Sequence, residues 1–449
     1  MKRRILLLTQ YFPPETGAGA NRIGPMADVL SKHYEVAVVA LEPSYPSPSE
    51  YKDVHLEAHD AGRPYPVRRT FDFHPHKGSL LFRALREQAM ALRLALYALR
   101  DPGDIVITSS PSMFLGPVTL VLARAKNARF VWDIRDITWG YARDFAGPSP
   151  LMALATRVLE RYVLWALRQA DLIVGASHGI TRLLVEEGVD PGRAITVPNG
   201  VSTELLDAIT REVDRSQENQ RPMVAYAGLI GYNQGLGVLL QAASMLPDVD
   251  FVLAGDGPEL ALLKDKAKQL GVSNIVFTGF LNREKLLELY RQSDVLIAHA
   301  RSGPTIDATM VPVKLFEYMA TGRPIIYAGK GIAADLMRQI GCAVTVPPEN
   351  PEAIKDAVVE LLLDPEQMRV LGLRGRACVQ KHYHRDELME GLARTLGERF
   401  AGRPAHDDGC DGRTSTRPPR ERRGRSTTAL ASGGDSWISA LRRLPRRGG

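Results

Sequence analysis

The chain has 449 residues, 45% apolar and 24% charged, too long for one ordinary domain and long enough for two with sizeable cores. Its formal charge of +6 lies wholly in residues 401–449, where eleven Arg stand against five acidic residues. The first 400 residues are therefore neutral, and charge argues against a nucleic-acid partner. Cys342, Cys378 and Cys410 are widely spaced and form no CxxC. Neither a disulfide framework nor a zinc site is expected, and a reducing cytoplasm is the expected compartment.

Residues 5–8 form an apolar run of four after a basic start, which reads as a first β-strand and is too short for a signal peptide. A helix is expected over 22–32, strands over 36–40, 105–108 and 130–132, a long helix over 151–168 and a strand over 172–175. Residues 79–100 are strongly amphipathic with interspersed Arg; such a helix either packs on the first sheet or rests on an anionic bilayer. His74 and His76 have no third ligand nearby, so metal binding is not expected there.

Residues 211–222 are polar and read as a linker. A second series follows, with strands at 223–227, 250–254, 275–278, 295–299 and 325–327, and helices at 235–246, 259–270, 283–292, 312–320 and 334–340. A last helix is expected over 387–400. Beyond 401 the tail is rich in Arg, Gly, Pro, Ser and Thr and is expected to be disordered, with one apolar patch at 437–441. No apolar stretch approaches a membrane span. Two such series imply an α/β chain of two Rossmann-like domains facing a cleft, with ligands outside the C-terminal ends of the strands. The expected boundaries are 1–205, 206–385, a helix at 386–400 and the tail 401–449.

Five segments carry candidate chemistry. Gly17 and Gly19 precede the helix containing Arg22; small residues there let backbone N–H groups approach an anion or an acceptor, although a tight βα turn needs the same residues. A dinucleotide fingerprint is not present, because its sixth position is Arg22. Gly228 and Gly231, with Gln234, lie between a strand and a helix and free the backbone to wrap a diphosphate. Gly255 and Gly257 line the next strand end. Lys314 and Glu317 share a helix face: a carboxylate can accept both ribose hydroxyls and an ammonium can neutralise a diphosphate, but a surface salt bridge would look the same. Arg135 follows a strand at the cleft and suits a leaving phosphate, with Asp133 or Asp136 to orient an acceptor; an ion pair within the loop is the alternative. Asp248 and Asp250 spell DxD but read as a turn.

Taken together, the order YFPPE–GAGANR, VPNGV, GLIG–QGL, AGDGPEL, FTGFL and PVKLFEYMATGRPII resembles the retaining GT-B glycosyltransferases of family 4 over roughly residues 1–400. Within that family the chain is most similar to the branch adding amino sugars such as fucosamine in surface-polysaccharide or O-antigen synthesis. The resemblance implies retaining transfer from a nucleoside-diphosphate sugar, expected to be UDP-linked, to a lipid-linked glycan in the first domain, with no metal or other cofactor. With the cysteine pattern and the amphipathic stretch 79–100, the expected compartment is the cytoplasm, with a peripheral contact on the inner membrane as an option. Donor-binding residues on this basis are Gly228, Gly231, Gln234, Gly255, Gly257, Phe280, Lys314 and Glu317; catalytic ones are Arg135, Asp136, Lys314 and Glu317; Gly17, Gly19 and Arg22 form the acceptor or phosphate loop. The sequence departs from the family at Thr309, where a first Glu is usual, and at Arg135, where a His is common. Two alternatives share the architecture: a sugar-nucleotide 2-epimerase and a non-catalytic nucleotide-sugar-binding partner.

Overall fold

The computed structural model describes residues 2–401 except 16, 45–47, 72–79, 145–149 and 214–220. The expected tail with its 437–441 patch, His74, His76 and Cys410 lie outside these residues. The first half carries strands β1 (Arg4–Thr9), β2 (Glu35–Leu41), β3 (Val67–Thr70), β4 (Ile105–Ser109), β5 (Arg129–Ile134), β6 (Leu172–Gly175) and β7 (Ala194–Thr196). The second carries β8 (Met223–Ala227), β9 (Asp250–Ala254), β10 (Ile275–Gly279), β11 (Val295–His299), β12 (Ile325–Ala328) and β13 (Ala343–Val346). The sheets run β3-β2-β1-β4-β5-β6-β7 and β10-β9-β8-β11-β12-β13, and every pairing is parallel. These are two Rossmann-like α/β bodies. The order reverses between β1 and β4 and between β8 and β11, which opens a crevice beyond the ends of those strands.

The central strands are legible because helices cover both faces, so they read as unbroken apolar runs. Leu6 and Leu8 enter one core of the first half while Ile5 and Leu7 enter the other. The edge strand β3 escapes such a reading because Arg68 and Arg69 occupy it; they pair with Asp101 at 2.8 Å and Asp60 at 2.6 Å. The helix expected from 235 starts instead at Gly237. Before it, Tyr232–Gln234 forms a 3-10 turn closed by Gly235 at φ 54°, a left-handed conformation that favours glycine.

Two features differ from the expected boundaries. The helix Thr203–Val213 crosses position 205/206 and takes up the start of the expected linker, because Leu206 and Ile209 are buried in a core of the second half. The last helix, Arg385–Phe400, returns to the first half, where Met389, Leu392, Leu396 and Phe400 join the core around Ile5 and Leu7. Tyr34 there donates its hydroxyl to the Ala393 carbonyl at 2.9 Å. The chain thus passes between the halves twice, and the passages pair: Val201 N–H donates to Tyr383 O and Arg385 N–H to Val201 O, both at 2.9 Å.

The amphipathic helix Leu80–Ala98 packs on β1 and β2 through Met90, Leu94 and Ala98. No described helix is long and apolar enough to cross a membrane. Cys342 and Cys378 are buried free thiols.

Helix Leu115–Ala125 approaches β5 through Gly116, where an added Cβ would lie 2.0 Å from the Trp132 ring. Gly116→Ala should therefore cost about 1–3 kcal/mol through overpacking. Urea unfolding checks this: the midpoint should fall with the slope unchanged.

Candidate functional site

In the second half, the turns after β8 and β9 interlock. An added Cβ at Gly255 (φ 137°) would lie 1.9 Å from Gly228 O, and one at Gly257 (φ 154°) 2.3 Å from Ile230 O. The backbones are joined as well: Gly228 N–H donates to Ala254 O and Ile230 N–H to Asp256 O, each at 2.9 Å. The turns therefore form one shelf at the end of β8. Gly231 is buried in it, and Gln234 folds its side chain over Gly231. Phe280, 60% exposed, stands just beyond β10, whose Gly279 carbonyl accepts from Gly255 N–H at 2.8 Å.

No motif marks His299, the last residue of β11. Its Nδ1 lies 2.6 Å from Gln234 O, and its Nε2 accepts from Glu349 N–H at 3.0 Å. These partners require a neutral ring protonated on Nδ1, and burial pushes its pKa down in agreement. His299 thereby pins the glycine turn to β11. A histidine ending an apolar strand gave no signal of this.

Helix Val313–Thr321 runs beside the shelf. Pro312 precedes it, and Gly322 at φ 70° ends it. Tyr318 fixes it to β8, accepting from Ala227 N–H at 2.7 Å and donating to Ala227 O at 3.1 Å. Lys314 and Glu317 do not form a salt bridge. Instead the Lys314 ammonium donates to the Tyr226 hydroxyl and lies 3.7 Å from that ring's centroid. An added Cβ at Gly228 would stand 2.7 Å from Lys314 Nζ, so the ammonium sits directly under the shelf. Burial pushes its pKa down to about 7, opposed by the charge of Glu317. Burial raises the pKa of Glu317, opposed first by Arg385 and then by a 3.4 Å hydrogen bond from Tyr290. Arg385, also unseen in the sequence, donates to Gly200 O at 2.8 and 3.1 Å. It places a guanidinium where the chain returns to the first half.

In the first half, β5 runs on to Ile134, so Asp133 is a strand residue and not part of a ligand-facing loop. It is fully buried, and Arg22 meets it at 2.7 Å. This corrects the expectation that Asp133 orients an acceptor: its oxygens accept from Arg22 and, at 2.8 Å, from Ser109. Arg22 is 3% exposed and also donates to Val197 O at 2.9 Å and Asn199 Oδ1 at 3.2 Å. The structure therefore places Arg22 beneath the Gly17–Gly19 loop, as a tie. Gly17 and Gly19 form the loop itself, and an added Cβ at Gly19 would lie 2.8 Å from Arg135 Nη1. Arg135 is half-buried, with its N–H on Ser110 Oγ at 2.8 Å and Nη1 on Ser110 O at 3.2 Å. Asp136 is half-buried and close enough to Tyr141 to help burial raise that phenol's pKa.

Thr309 is buried, and its hydroxyl donates to Thr305 O at 2.6 Å. Its carbonyl accepts from Ser177 Oγ at 2.6 Å, and Thr305 N–H donates to Asp144 Oδ2 at 2.7 Å. Helix Pro304–Thr309 is thus a contact between the halves. A pocket in the cleft, lined by Ala18, Asn21, Arg22, Asn199, Val313 and Arg385 among others, joins the first-half loop to the start of the Lys314 helix. The DxD spelling is a turn entering β9, with Asp250 paired to Arg221 at 3.4 Å. Among the described residues no three His, Cys, Asp or Glu side chains group as a metal site.

Two family models match the chain: a glycosyl transferase 4-like domain over residues 17–200 and glycosyl transferases group 1 over residues 209–377. A GDP-mannose-dependent alpha-(1-6)-phosphatidylinositol monomannoside mannosyltransferase of Mycolicibacterium smegmatis is 27% identical over 83% of this chain and 92% of its own length. The putative colanic acid biosynthesis glycosyl transferase WcaI of Escherichia coli is 26% identical over 80% and 92%. Among solved structures, a sucrose-phosphate synthase of Thermosynechococcus elongatus superposes with a TM-score of 0.70 at 17% identity, over 90% of this chain and all of that one. Anabaena HepE in complex with UDP-glucose gives 0.66 at 15%, over 88% and 100%.

Lys314, half-buried as a residue with its ammonium turned onto Tyr226, sets a pH dependence. Its folded-state pKa is depressed to about 7, whereas an unfolded lysine holds its proton to about 10. Between those values the unfolded chain carries more proton, so the lysine's cost to stability is full below pH 7 and fades as pH rises. Lys314→Met should be the more stable protein near neutral pH, and the gap should close toward pH 10. Paired denaturation curves across pH 6.5–9.5 measure it; a gap independent of pH would contradict the burial of this ammonium.

Proposed function

We propose, for a chain that is a glycosyltransferase of the group 1 and 4-like kind, that it moves a sugar from a nucleoside diphosphate to a lipid-linked saccharide with retention of anomeric configuration. The observation that carries the donor half is the placing of Glu317 and Lys314 on one helix beside the interlocked glycine turns, at the crevice between β8 and β11. In this reading the Glu317 carboxylate accepts the ribose hydroxyls. The turns at Gly228–Gly231 and Gly255–Gly257 let the backbone approach the diphosphate, with Lys314 beneath, and exposed Phe280 offers a face to the base. The second half forms the donor side and the first half the acceptor side. Across the cleft, Arg135 stabilises charge developing on the leaving phosphate and Asp136 orients the acceptor hydroxyl. Positive side chains and oriented N–H groups then do the work without a metal, so chelation by EDTA should leave the rate unchanged.

The mannosyltransferase relatives support a lipid-borne acceptor, one being named for a phosphatidylinositol mannoside. Escherichia coli relatives named for colanic acid and the O-antigen chain support a role in surface-polysaccharide synthesis. HepE with UDP-glucose supports a UDP-linked donor, while the GDP-mannose dependence of the mycobacterial relative points to the other common base. The amino-sugar reading rests on Gly231–Gln234–Gly235, the Arg135–Asp136 loop and the K-x-F-E-Y-M-A helix.

A panel of UDP, GDP, ADP and dTDP should contain one ligand that stabilises the protein, by about 2.7 kcal/mol at a hundred times its Kd. Glu317→Ala should weaken that ligand about tenfold to a hundredfold and abolish transfer to a lipid extract, with the product anomer read by NMR. A protein that no nucleoside diphosphate stabilises would sink the proposal. Epimerisation of UDP-N-acetylglucosamine without acceptor would replace transfer with the epimerase alternative.

The acceptor's lipid also suits a peripheral contact at the cytoplasmic face of the membrane. Helix Leu80–Ala98 leaves Leu85, Leu92 and Leu96 exposed along one stripe, continued just past its end by Leu99, with Arg86, Arg93 and Arg100 nearby. Such a face suits an anionic bilayer. The protein should co-sediment with vesicles containing phosphatidylglycerol, more weakly in Leu92→Glu/Leu96→Glu; equal sedimentation of the two would remove this face from the proposal.

A further inference from the structure

A nucleoside diphosphate brings two adjacent phosphates into the crevice between β8 and β11, yet the turn that follows β8 contains no Lys or Arg. Its polar members at that point are Asn233 and Gln234. Lys314 lies beneath Gly228 with its ammonium on the Tyr226 hydroxyl. The other wall of the crevice is the segment after β11, and its second residue is Arg301.

Three contacts hold Arg301 against the glycine turn. Its backbone N–H donates to Asn233 O at 2.9 Å. Its guanidinium carbon lies 4.1 Å from the centroid of the Tyr232 ring. Its stem crosses Gly235 so closely that an added Cβ there would sit 2.8 Å from Arg301 Cγ and 3.1 Å from Nε. Gly235 thus serves two ends: its left-handed φ closes the 3-10 turn, and its missing side chain makes room for the arginine.

Apart from the Tyr232 ring, the arginine's charge has no partner among the described residues. Among the described residues no carboxylate forms an ion pair with it, and Nε is buried without a hydrogen-bond partner. Burying a cation partly and leaving it unpaired is costly. An anion that arrives with the ligand would meet that cost. The guanidinium lies over the Tyr232 ring, itself 52% exposed, and a guanidinium is the planar set of N–H donors that suits bidentate recognition of phosphate.

We propose that Arg301, set over Tyr232 across the β8/β11 crevice, grips the diphosphate of the nucleotide-sugar donor. The assignment rests on reading this crevice as a nucleoside-diphosphate site. It also explains the position of Tyr232, whose ring aligns the guanidinium and need not touch the ligand.

Titration calorimetry of the full chain with UDP and GDP, and with uridine and guanosine, tests it. Arg301→Gln should weaken whichever diphosphate the wild type binds by about tenfold to a hundredfold and leave the matching nucleoside unchanged. Arg301→Lys, which keeps the charge and loses the fork, should recover part of the loss. Tyr232→Phe should bind as wild type, and Tyr232→Ala should bind more weakly. Melting without ligand identifies any variant that fails to fold; if Arg301→Gln does, the comparison of Arg301→Lys with Tyr232→Ala decides. Unchanged diphosphate binding in Arg301→Gln, or parallel loss of the nucleoside, overturns the assignment and leaves the donor site intact. A wild type that binds neither of these, nor ADP or dTDP, overturns both.

Discussion

The buried pair between Arg22 and Asp133 is the constraint on which the cleft's first wall depends. Both side chains are almost wholly enclosed, and the guanidinium meets the carboxylate at 2.7 Å. Removing one partner from such a pair costs about 3–5 kcal/mol, because the remaining charge stays buried. Here one arginine touches three parts of the first half at once. It stands in the helix that follows the glycine loop, holds the end of β5, and donates to the carbonyls and amide of Val197–Asn199. The Gly17–Gly19 loop, Arg135 and the start of the chain's passage into the second half therefore have one fixed relation.

The second wall is built on a different principle. No charged pair is buried there; glycine backbone packs against glycine backbone, and tyrosines supply the ties. Tyr318 holds the Lys314 helix to β8, Tyr226 links Lys314 to the Leu229 carbonyl, and Tyr290 reaches Glu317. Phenols suit this duty because burial raises the pKa of Tyr290 and Tyr318, so they stay neutral and keep a proton to donate. The carboxylate and the ammonium stay three residues apart without neutralising each other.

The central strands of both sheets and the helix Val313–Thr321 were legible because apolar runs and a Pro–Gly bracket are local properties of the chain. Strand β7, three residues long, and β3, with its two arginines, were not, since neither shows an apolar run. The site was readable where backbone freedom mattered, at Gly228, Gly255 and Gly257. It was not readable where a side chain's meaning depends on a distant partner. Arg22 reads in the sequence as part of an acceptor or phosphate loop, and its guanidinium is held by Asp133, 111 residues away. Arg301, His299 and Arg385 carry no such signal, because no short spacing marks a residue that ties distant segments together. Thr309 stood out as a missing carboxylate, and the fold uses its position for the contact with Ser177.

The return of the chain through Tyr383–Arg385 beside Val201 has a mechanical consequence. Two passages joined by backbone hydrogen bonds behave as a ribbon two strands wide. A ribbon bends easily across its thin direction and resists being sheared within its own plane. By that reasoning, rocking of the two halves about this ribbon, like a book on its spine, is expected to be easier than sideways slip between them. Arg385 lies on that spine with its guanidinium fastened to Gly200 and its charge felt by Glu317, so the electrostatics of the carboxylate are tied to the angle at which the book stands open.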